Sequence, residues 1–432
     1  PEIESVRKQI SGIVEKFGGS DQLPGISYEF YYQHSPIVVA GKSIGPTSPV
    51  SIASTSKSFT AFAMVRLARM GKVDLDAPVS YYLPDFAKHE FDRKRPVTVR
   101  HLLQHRSGIP YQGGKGISVN GMFLPAPRVA AGRYFEYSNM NYELVAAIIE
   151  KVTGKRFKAA IEELVLHPLR LKNTYLANYG HGASGIISST TDLSAFADFL
   201  IQDYELNQNQ SYIRELTRPP EGVPSTGNQE YYGLGWRITL RDGQLFSMYH
   251  AGDWHQGVSL LMIYPKYSAS FSYLANPPDY RSAAVQEVKG NMLAYSQLLA
   301  ERLAKSTAAL VNDTVNVSKT NQPERAIQTQ PAQRTERTQK NQRTPAKAYI
   351  GEYKSEYNGV RIEIGVQKNR LTVKRGSKLI ALAPLNDWEF QGDSEYLTYQ
   401  FFFDEKNNVI GMTDYTSYYT KENFQSQAAL TP

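Results

Sequence analysis

Residues 51–57, SIASTSK, place a serine and a lysine three positions apart, after an apolar strand end and at the start of a long helical stretch. Because three residues make nearly one helical turn, the side chain of Lys57 is expected on the same face as Ser54. A serine hydroxyl is a weak nucleophile until a neighbour accepts its proton, and a buried lysine with a lowered pKa can be that acceptor. The structural alternative is that Ser54 caps the helix and Lys57 is solvated.

A second motif, FEYSN at residues 135–139, also precedes an amphipathic helical stretch. Tyr137 is a candidate for relaying a proton between Ser54 and a leaving group. Asn139 is a candidate for holding Lys57 and a substrate carbonyl through its amide. Since the chain has 29 tyrosines, a buried tyrosine with a satisfied hydroxyl competes with the catalytic interpretation of Tyr137.

A third motif, HAG at residues 250–252, lies between two strand-like runs. Gly252 would let a substrate backbone approach the strand closely, and a turn is the alternative. In chain order the three motifs supply an activatable nucleophile, a proton-handling group and a polar strand edge. That is the equipment of a serine acyl-transfer enzyme without a Ser-His-Asp triad.

The composition excludes several kinds of site. The 432-residue chain has no cysteine, which excludes disulfides and thiolate chemistry. No apolar run reaches the roughly 18 residues of a membrane span. Much of the net charge of +7 lies in residues 305–347 and no nucleic-acid-binding motif is present, so no nucleic-acid partner is expected. His101 and His105 have i,i+4 spacing without a third ligand, so we interpret them as structural and expect no metal or cofactor.

The chain divides where its composition changes, near Ser306. Residues 313–345 are rich in Gln, Thr, Arg, Asn and Pro and contain no aromatic residue, which predicts a flexible linker. From Tyr349 onward, short alternating runs between turns predict a small all-β unit. The predicted organisation is a first domain over 1–305, a flexible polar linker over 306–346 and a small antiparallel β-barrel over 347–432.

The first domain has helical patterns at both ends and in its middle, and strand patterns between them, so its predicted class is α+β. The predicted helices are 2–17, 56–70, 141–153, 192–201 and 283–304, and the predicted strands are 25–32, 36–40, 232–240, 245–249, 258–264 and 269–275.

Residues 1–305 resemble the penicillin-recognising serine hydrolases, which include class C β-lactamases, D-alanyl-D-alanine carboxypeptidases, D-aminopeptidases and related esterases. Besides the three motifs, the agreeing segments are residues 65–79, 101–109, 168–174, 184–192 and 232–236. The resemblance implies a β-lactamase/transpeptidase-like fold, in which a five-stranded antiparallel sheet is flanked by helices and the site faces a helical subdomain. The C-terminal unit resembles the small lipocalin-like barrel appended to several of these hydrolases.

The resemblance also implies roles for the site residues. Ser54 would attack an amide or ester carbonyl and form an acyl-enzyme, while Lys57 and Tyr137 would share the acid and base work. The oxyanion hole would be the backbone N–H groups of Ser54 and Asp253. His250 occupies the position where many relatives carry lysine.

Two departures from the Lys-Thr-Gly form of the third motif bear on the substrate. Ala251 lacks the hydroxyl that contacts a substrate carboxylate in relatives, and Asp253 brings a negative charge beside the site. Both weaken the case for β-lactams and D-Ala-D-Ala termini. We therefore expect a peptidase or amidase acting on D-amino-acid peptides, amides or esters, with a substrate amine near Asp253 unless that side chain points away. The spacing from Gly252 to Gly257 predicts an irregular strand edge.

Other functions remain open at this point. They are an esterase, a class C-like β-lactamase or D-Ala-D-Ala carboxypeptidase, a non-catalytic penicillin-binding sensor, and an adhesion module based on the C-terminal unit. Since the chain starts with Pro1, we expect a removed signal peptide and a periplasmic or extracellular location, with a truncated N-terminus as the alternative. The expected partner is a small-molecule or peptide substrate, and peripheral contact with the cell envelope and self-association as a homo-oligomer are compatible with the sequence.

Overall fold

The structure is a computed structural model of the full chain. It describes residues 4, 8, 11–12, 14–16, 19–88, 95–111, 116–119, 122–127, 129–223, 227–255, 257–318, 345–355, 361–367, 370–375, 378–384, 389–392, 398–403, 408–413 and 418–421.

The α-helices and strands of the described part follow in chain order. The helices are α1 (Ser56–Arg69), α2 (Val79–Tyr82), α3 (Val99–Leu103), α4 (Asn139–Thr153), α5 (Phe157–Ile161), α6 (Thr190–Asn207), α7 (Tyr212–Leu216) and α8 (Ala283–Ser318). The strands up to α8 are β1 (Ile26–Tyr32), β2 (Ser35–Lys42), β3 (Val50–Ser51), β4 (Gly116–Val119), β5 (Met122–Pro125), β6 (Tyr175–His181), β7 (Ser184–Ser188), β8 (Gln229–Tyr232), β9 (Arg237–Arg241), β10 (Gln244–Trp254), β11 (Gly257–Tyr264) and β12 (Ala269–Ala275). The strands after α8 are β13 (Gly351–Ser355), β14 (Arg361–Gln367), β15 (Arg370–Arg375), β16 (Lys378–Ala381), β17 (Ala383–Pro384), β18 (Glu389–Gln391), β19 (Thr398–Phe403), β20 (Val409–Thr413) and β21 (Tyr418–Lys421).

The main sheet is antiparallel and has the strand order β2-β1-β12-β11-β10-β9-β8. The first five of these strands account for the five-stranded sheet that the resemblance implied. The last two form a hairpin at the edge of β10, because the chain turns after Tyr232, where the Gly233 N–H donates to the Trp236 carbonyl (2.8 Å). The strand predicted over 232–240 is therefore two strands, and the sheet has seven strands rather than five.

Each face of the main sheet covers a separate apolar core, because neighbouring side chains of a strand point to opposite faces. On β11, Leu261 packs with α1, α4 and α6, whereas Leu260 packs against α8 through side chains such as Val288. Helix α1 lies in the middle of the first core, and every residue from Ser56 to Val65 is buried. The α+β architecture predicted for the first domain is confirmed, and it places the start of α1 against the sheet.

Helix α8 is longer than the sequence predicted. It continues to Ser318, past the expected helix end at 304 and the predicted linker start at 306. Residues 306–318, STAALVNDTVNVS, contain neither Gly nor Pro, so nothing in the sequence stops the helix. Residues 319–344 of the predicted linker lie outside the described residues, so the proposed domain boundaries stay predictions. Among the described helices, none is both long enough and apolar enough to cross a bilayer.

The C-terminal region is all-β, as the sequence predicted. Its strands form one antiparallel sheet in the order β16-β15-β14-β13-β21-β20-β19-β18-β17. The two end strands, β16 and β17, are separated in the chain by Leu382 alone, whose N–H donates to the Leu371 carbonyl (2.8 Å). The sheet must therefore curl until its ends meet, which gives a barrel-like shape. Tyr134, which precedes α4 in the N-terminal part of the chain, is buried in the same apolar cluster as Tyr349 and Phe401.

Candidate active site

The residue before the candidate nucleophile has an unusual backbone conformation. Ala53 has φ +45°, a left-handed conformation that is uncommon for a residue with a side chain. It opens a single 3₁₀ turn, Ala53–Thr55, directly before α1. The turn is tied to the sheet because the Thr55 hydroxyl lies 2.8 Å from that of Ser259, which donates to the Ile52 carbonyl (2.7 Å). Helix α1 begins at Ser56, so Ser54 precedes the helix rather than capping it.

Lys57 is completely buried and its ammonium group reaches Ser54. Its Nζ donates to the Ser54 Oγ (3.2 Å) and to the carbonyl of Ala183 (2.9 Å), in the turn between β6 and β7. Burial lowers the pKa of Lys57 to about 7, while the carboxylate of Glu143 acts in the opposite direction. A neutral amine beside a serine hydroxyl is available near neutral pH. The solvated-lysine alternative is therefore excluded by the structure.

Tyr137 completes a group of three interacting side chains. Its hydroxyl is hydrogen-bonded to Ser54, and the Lys57 Nζ lies 4.9 Å from the centre of its ring. Burial raises the pKa of Tyr137 to about 12, so the phenol stays protonated at neutral pH. His105 supports this segment, since its ring centroid is 4.3 Å from that of Tyr137 and its Nδ1 accepts the Ser138 N–H (3.1 Å).

Asn139 lies at the start of α4 but does not hold Lys57 as we expected. Its amide nitrogen donates to the Tyr111 hydroxyl (3.2 Å). Its buried Oδ1 accepts no hydrogen bond from any described residue. The Lys57 amine donates instead to Ser54 and to the Ala183 carbonyl, and a backbone carbonyl has no signature in a sequence.

The HAG motif lies inside strand β10 and not in a turn. Pairing with β11 runs without a register shift from Met248 to Trp254, so the expected irregularity is absent from this edge. Pairing with β9 ends at Tyr249, opposite Arg237. Residues 250–254 therefore have a described strand on one side only, and their other edge is open toward the site.

His250 lines the open edge of β10 as a neutral imidazole. Its Nδ1 donates to the Ala251 carbonyl (2.7 Å), and its Nε2 accepts from the Tyr232 hydroxyl (2.8 Å). Burial lowers the pKa of His250 well below its usual value, which agrees with this tautomer. Its ring centroid is 6.4 Å from that of Tyr137, so His250 packs near the proton-handling group without bonding to it.

Gly252 brings β10 into contact with the nucleophile turn. A β-carbon on this residue would lie 2.2 Å from the Ile52 carbonyl oxygen and 3.0 Å from the Ser54 nitrogen. Because no side chain separates the two segments, the N–H groups of Ser54 and Asp253 can approach one carbonyl oxygen. This arrangement fits the expected oxyanion hole.

We expect Gly252→Ala to lower kcat/KM by about 100-fold or more, because the added methyl group would push β10 away from Ser54 and loss of one oxyanion donor typically has an effect of that order. Steady-state kinetics would measure this, with thermal unfolding to confirm folding. Gly290→Ala is the matched control, since a β-carbon at Gly290 on α8 meets nothing within 4 Å. A Gly252→Ala enzyme with the wild-type rate would contradict the close contact.

The side chain of Asp253 binds a lysine on the face of the sheet away from Ser54. Its carboxylate binds the Lys289 ammonium on α8, with distances of 2.6 Å and 2.7 Å to the two oxygens. Helix α8 packs on the sheet face opposite to Ser54, whereas the Gly252 Cα faces Ser54. The alternation of strand side chains explains this orientation, which matches the alternative that the Asp253 side chain points away from a substrate amine.

Comparison with known proteins agrees with this geometry. The family model described as Beta-lactamase matches residues 10–289. The chain belongs to the beta-lactamase family. Curated proteins similar to this chain include Protein flp of Staphylococcus aureus (strain MW2), which is 28% identical over 268 residues, or 54% of this chain and 53% of flp. The chain thus spans about half the length of the curated relatives it matches.

Solved structures of similar fold cover either the whole chain or its beta-lactamase family domain. The crystal structure of SurE with D-Leu has a TM-score of 0.61 at 17% identity and covers 97% of this chain and 100% of its own. The octameric penicillin-binding protein homologue from Pyrococcus abyssi has a TM-score of 0.53 at 19% identity, with 98% and 100% coverage. The D-stereospecific amidohydrolase from Streptomyces sp. has a TM-score of 0.51 at 22% identity and covers 66% of this chain and 98% of its own. These similarities show the fold, which they share with this member of the beta-lactamase family.

Several residues around this beta-lactamase family site were not identified from the sequence. Ala183 contributes through its backbone rather than its side chain, and Tyr232 acts through His250 at a separation of 18 positions. His105 was interpreted as structural, and the structure places it against Tyr137. In the described part of the chain, no three His, Asp or Glu side chains are grouped as a metal site would need.

Proposed function

We propose that this protein is a serine hydrolase that forms an acyl-enzyme on Ser54, and that its substrates are peptides, amides or esters containing D-amino acids. The observation that carries the proposal is the buried Lys57 amine, 3.2 Å from the Ser54 hydroxyl, with a pKa of about 7. A base with a pKa near the working pH is the most effective general base.

In the acylation step, the neutral Lys57 amine accepts the proton of Ser54 while the Ser54 Oγ bonds to the substrate carbonyl carbon. The N–H groups of Ser54 and Asp253 stabilise the oxyanion that forms. As the bond to the leaving group breaks, Tyr137 donates its proton to that group and recovers one from Lys57. Water then attacks the acyl-enzyme, with the same groups moving protons in the opposite direction.

The open edge of β10 supports an extended substrate. In an antiparallel strand the N–H and C=O of one residue point to the same side, so Asp253 can offer both groups to a substrate backbone. The Ala251 carbonyl is already occupied by His250, which confines pairing to the end near Trp254. Trp254 is 51% exposed, and its cross-strand partner Gly257 packs toward the nucleophile turn, so Trp254 offers an apolar surface on the same face.

The preference for D-amino acids rests on two of the structural neighbours, SurE with D-Leu and the D-stereospecific amidohydrolase. Because Lys289 pairs with Asp253, the proposed substrates need no free amine. A periplasmic or extracellular location is likewise a proposal, and self-association is a proposal supported by the octameric neighbour.

Kinetic comparison of p-nitroanilides tests the substrate class. We expect D-phenylalanine p-nitroanilide to be cleaved at least about 10-fold faster than the L isomer, and the N-acetyl D form at a similar rate to the free amine. A p-nitrophenyl ester and a chromogenic cephalosporin are tested in parallel. Faster turnover of the ester alone would favour an esterase, faster turnover of the cephalosporin a β-lactamase, and no turnover of any reagent a non-catalytic protein.

A further inference from the structure

The turn between β6 and β7 is clamped between two helices of the site. The Thr60 hydroxyl and the Lys57 ammonium of α1 donate to the carbonyls of Gly182 (2.7 Å) and Ala183 (2.9 Å). On the other side, a β-carbon at Gly182 would lie 2.0 Å from the Tyr142 carbonyl of α4. The turn is therefore held between α1 and α4 by contacts with both helices.

Glu143, on α4, also binds this turn. Its carboxylate accepts the backbone N–H of Ala183, the residue whose carbonyl holds the Lys57 amine. Its Oε2 also lies 3.5 Å from the Nδ1 of His181, which is 68% exposed, while Glu143 itself is only 21% exposed. The carboxylate thus connects an exposed imidazole to the residue that orients Lys57.

We propose that Glu143 is a positioning residue for Lys57, which fixes the Ala183 backbone on the amine and holds a negative charge near it. The inference deepens the proposed function and rests on it, because it matters only where Lys57 is the base. The positioning role rests on one shared residue: Ala183 binds Glu143 through its N–H and Lys57 through its C=O.

The electrostatics of Lys57 agree with this role. Burial lowers the pKa of Lys57, and Glu143 is the carboxylate that raises it. The other groups that face the amine are the hydroxyl of Ser54 and the rings of Tyr137 and Tyr142. Positive charge on His105 or His250 would act in the same direction as burial, but burial lowers the pKa of both imidazoles well below the usual value.

The test is the pH dependence of Ser54 labelling by a fluorophosphonate, followed by intact-protein mass. In Glu143→Gln the amide oxygen can still accept the Ala183 N–H, but the negative charge is lost. We expect the acidic limb of the rate profile to move to lower pH while the plateau stays close to that of the wild type. In Glu143→Ala the hydrogen bond is lost as well, and we expect the plateau to fall by on the order of 10- to 100-fold, as small misplacements of catalytic groups do.

Glu150→Gln is the matched control, because Glu150 also lies on α4 and also accepts a backbone N–H, that of Phe157 (2.7 Å). It should leave the limb and the plateau unchanged, and thermal unfolding should show all three variants folded. An unmoved limb in Glu143→Gln would overturn the inference while leaving the proposed function intact. A wild-type protein that shows no Ser54-dependent labelling at any pH would overturn both.

Discussion

We expect Ser54→Ala to lower turnover of every accepted substrate by at least about 10⁴-fold, because the acyl-enzyme cannot form without the hydroxyl and catalytic groups that act as a unit fail together. The same change should abolish covalent labelling by a fluorophosphonate, a fluorescent penicillin and a D-amino-acid ester. Intact-protein mass spectrometry measures the adduct, and kinetics with the best substrate measures the rate.

Ser58→Ala provides the comparison for this result. Ser58 lies on α1, four residues after Ser54, and is buried, but its hydroxyl donates to the Gly235 carbonyl (2.8 Å), away from the site. We expect it to keep the adduct and most of the activity. An adduct that persists in Ser54→Ala would place the nucleophile elsewhere and contradict the proposed chemistry.

The second large effect concerns Lys57, whose loss should lower kcat/KM by several orders of magnitude, roughly 10³-fold or more for Lys57→Ala. In the wild type, kcat/KM should fall as the pH drops through about 7, because below that value the amine is protonated and cannot accept the Ser54 proton. Tyr137, with its pKa raised to about 12, should give no alkaline limb below about pH 10.

A pH series of kcat/KM checks the sign and the position of this limb. Lys151→Met removes an exposed lysine from α4 and should leave the profile unchanged. A wild-type rate that stays constant from pH 5 to 9 would contradict a lysine base, since protonation of Lys57 would then have no effect on the reaction (the range is about two units on either side of the expected limb).

The sequence predicted the parts of the site that depend on local spacing. Ser54 lies in the single turn before α1 and Lys57 in the first turn of α1, so the local backbone brings the two side chains together. Tyr137 likewise lies two residues before the start of α4. The direction of Asp253 could not be predicted, because its partner Lys289 is 36 positions away on a helix that packs only in the folded chain. The partner of Asn139 depends in the same way on tertiary packing against Tyr111.

The fold was predicted to a similar depth. Hydrophobic periodicity indicated the helices and most strands, since burial of one face leaves a local pattern. It did not separate β8 from β9, because the connection between them, residues 233–236, is short and itself carries the buried apolar side chains of Leu234 and Trp236. The predicted end of α8 is also too early. Polar composition after residue 305 predicted a linker, although residues 306–318 contain no Gly or Pro that would end the helix.

The open edge of β10 has a second consequence, which concerns solubility. An unpaired strand edge is a template on which any extended chain can add, including another copy of the same protein. The barrel-like sheet avoids this hazard because its ends meet at Leu382, whereas a strand paired with this edge of β10 would block the place that we propose for the substrate. Its exposed length is kept to residues 250–254, and the His250 ring occupies one of the carbonyls. The same few peptide groups of β10 therefore serve the proposed substrate binding and limit the edge on which another chain could add.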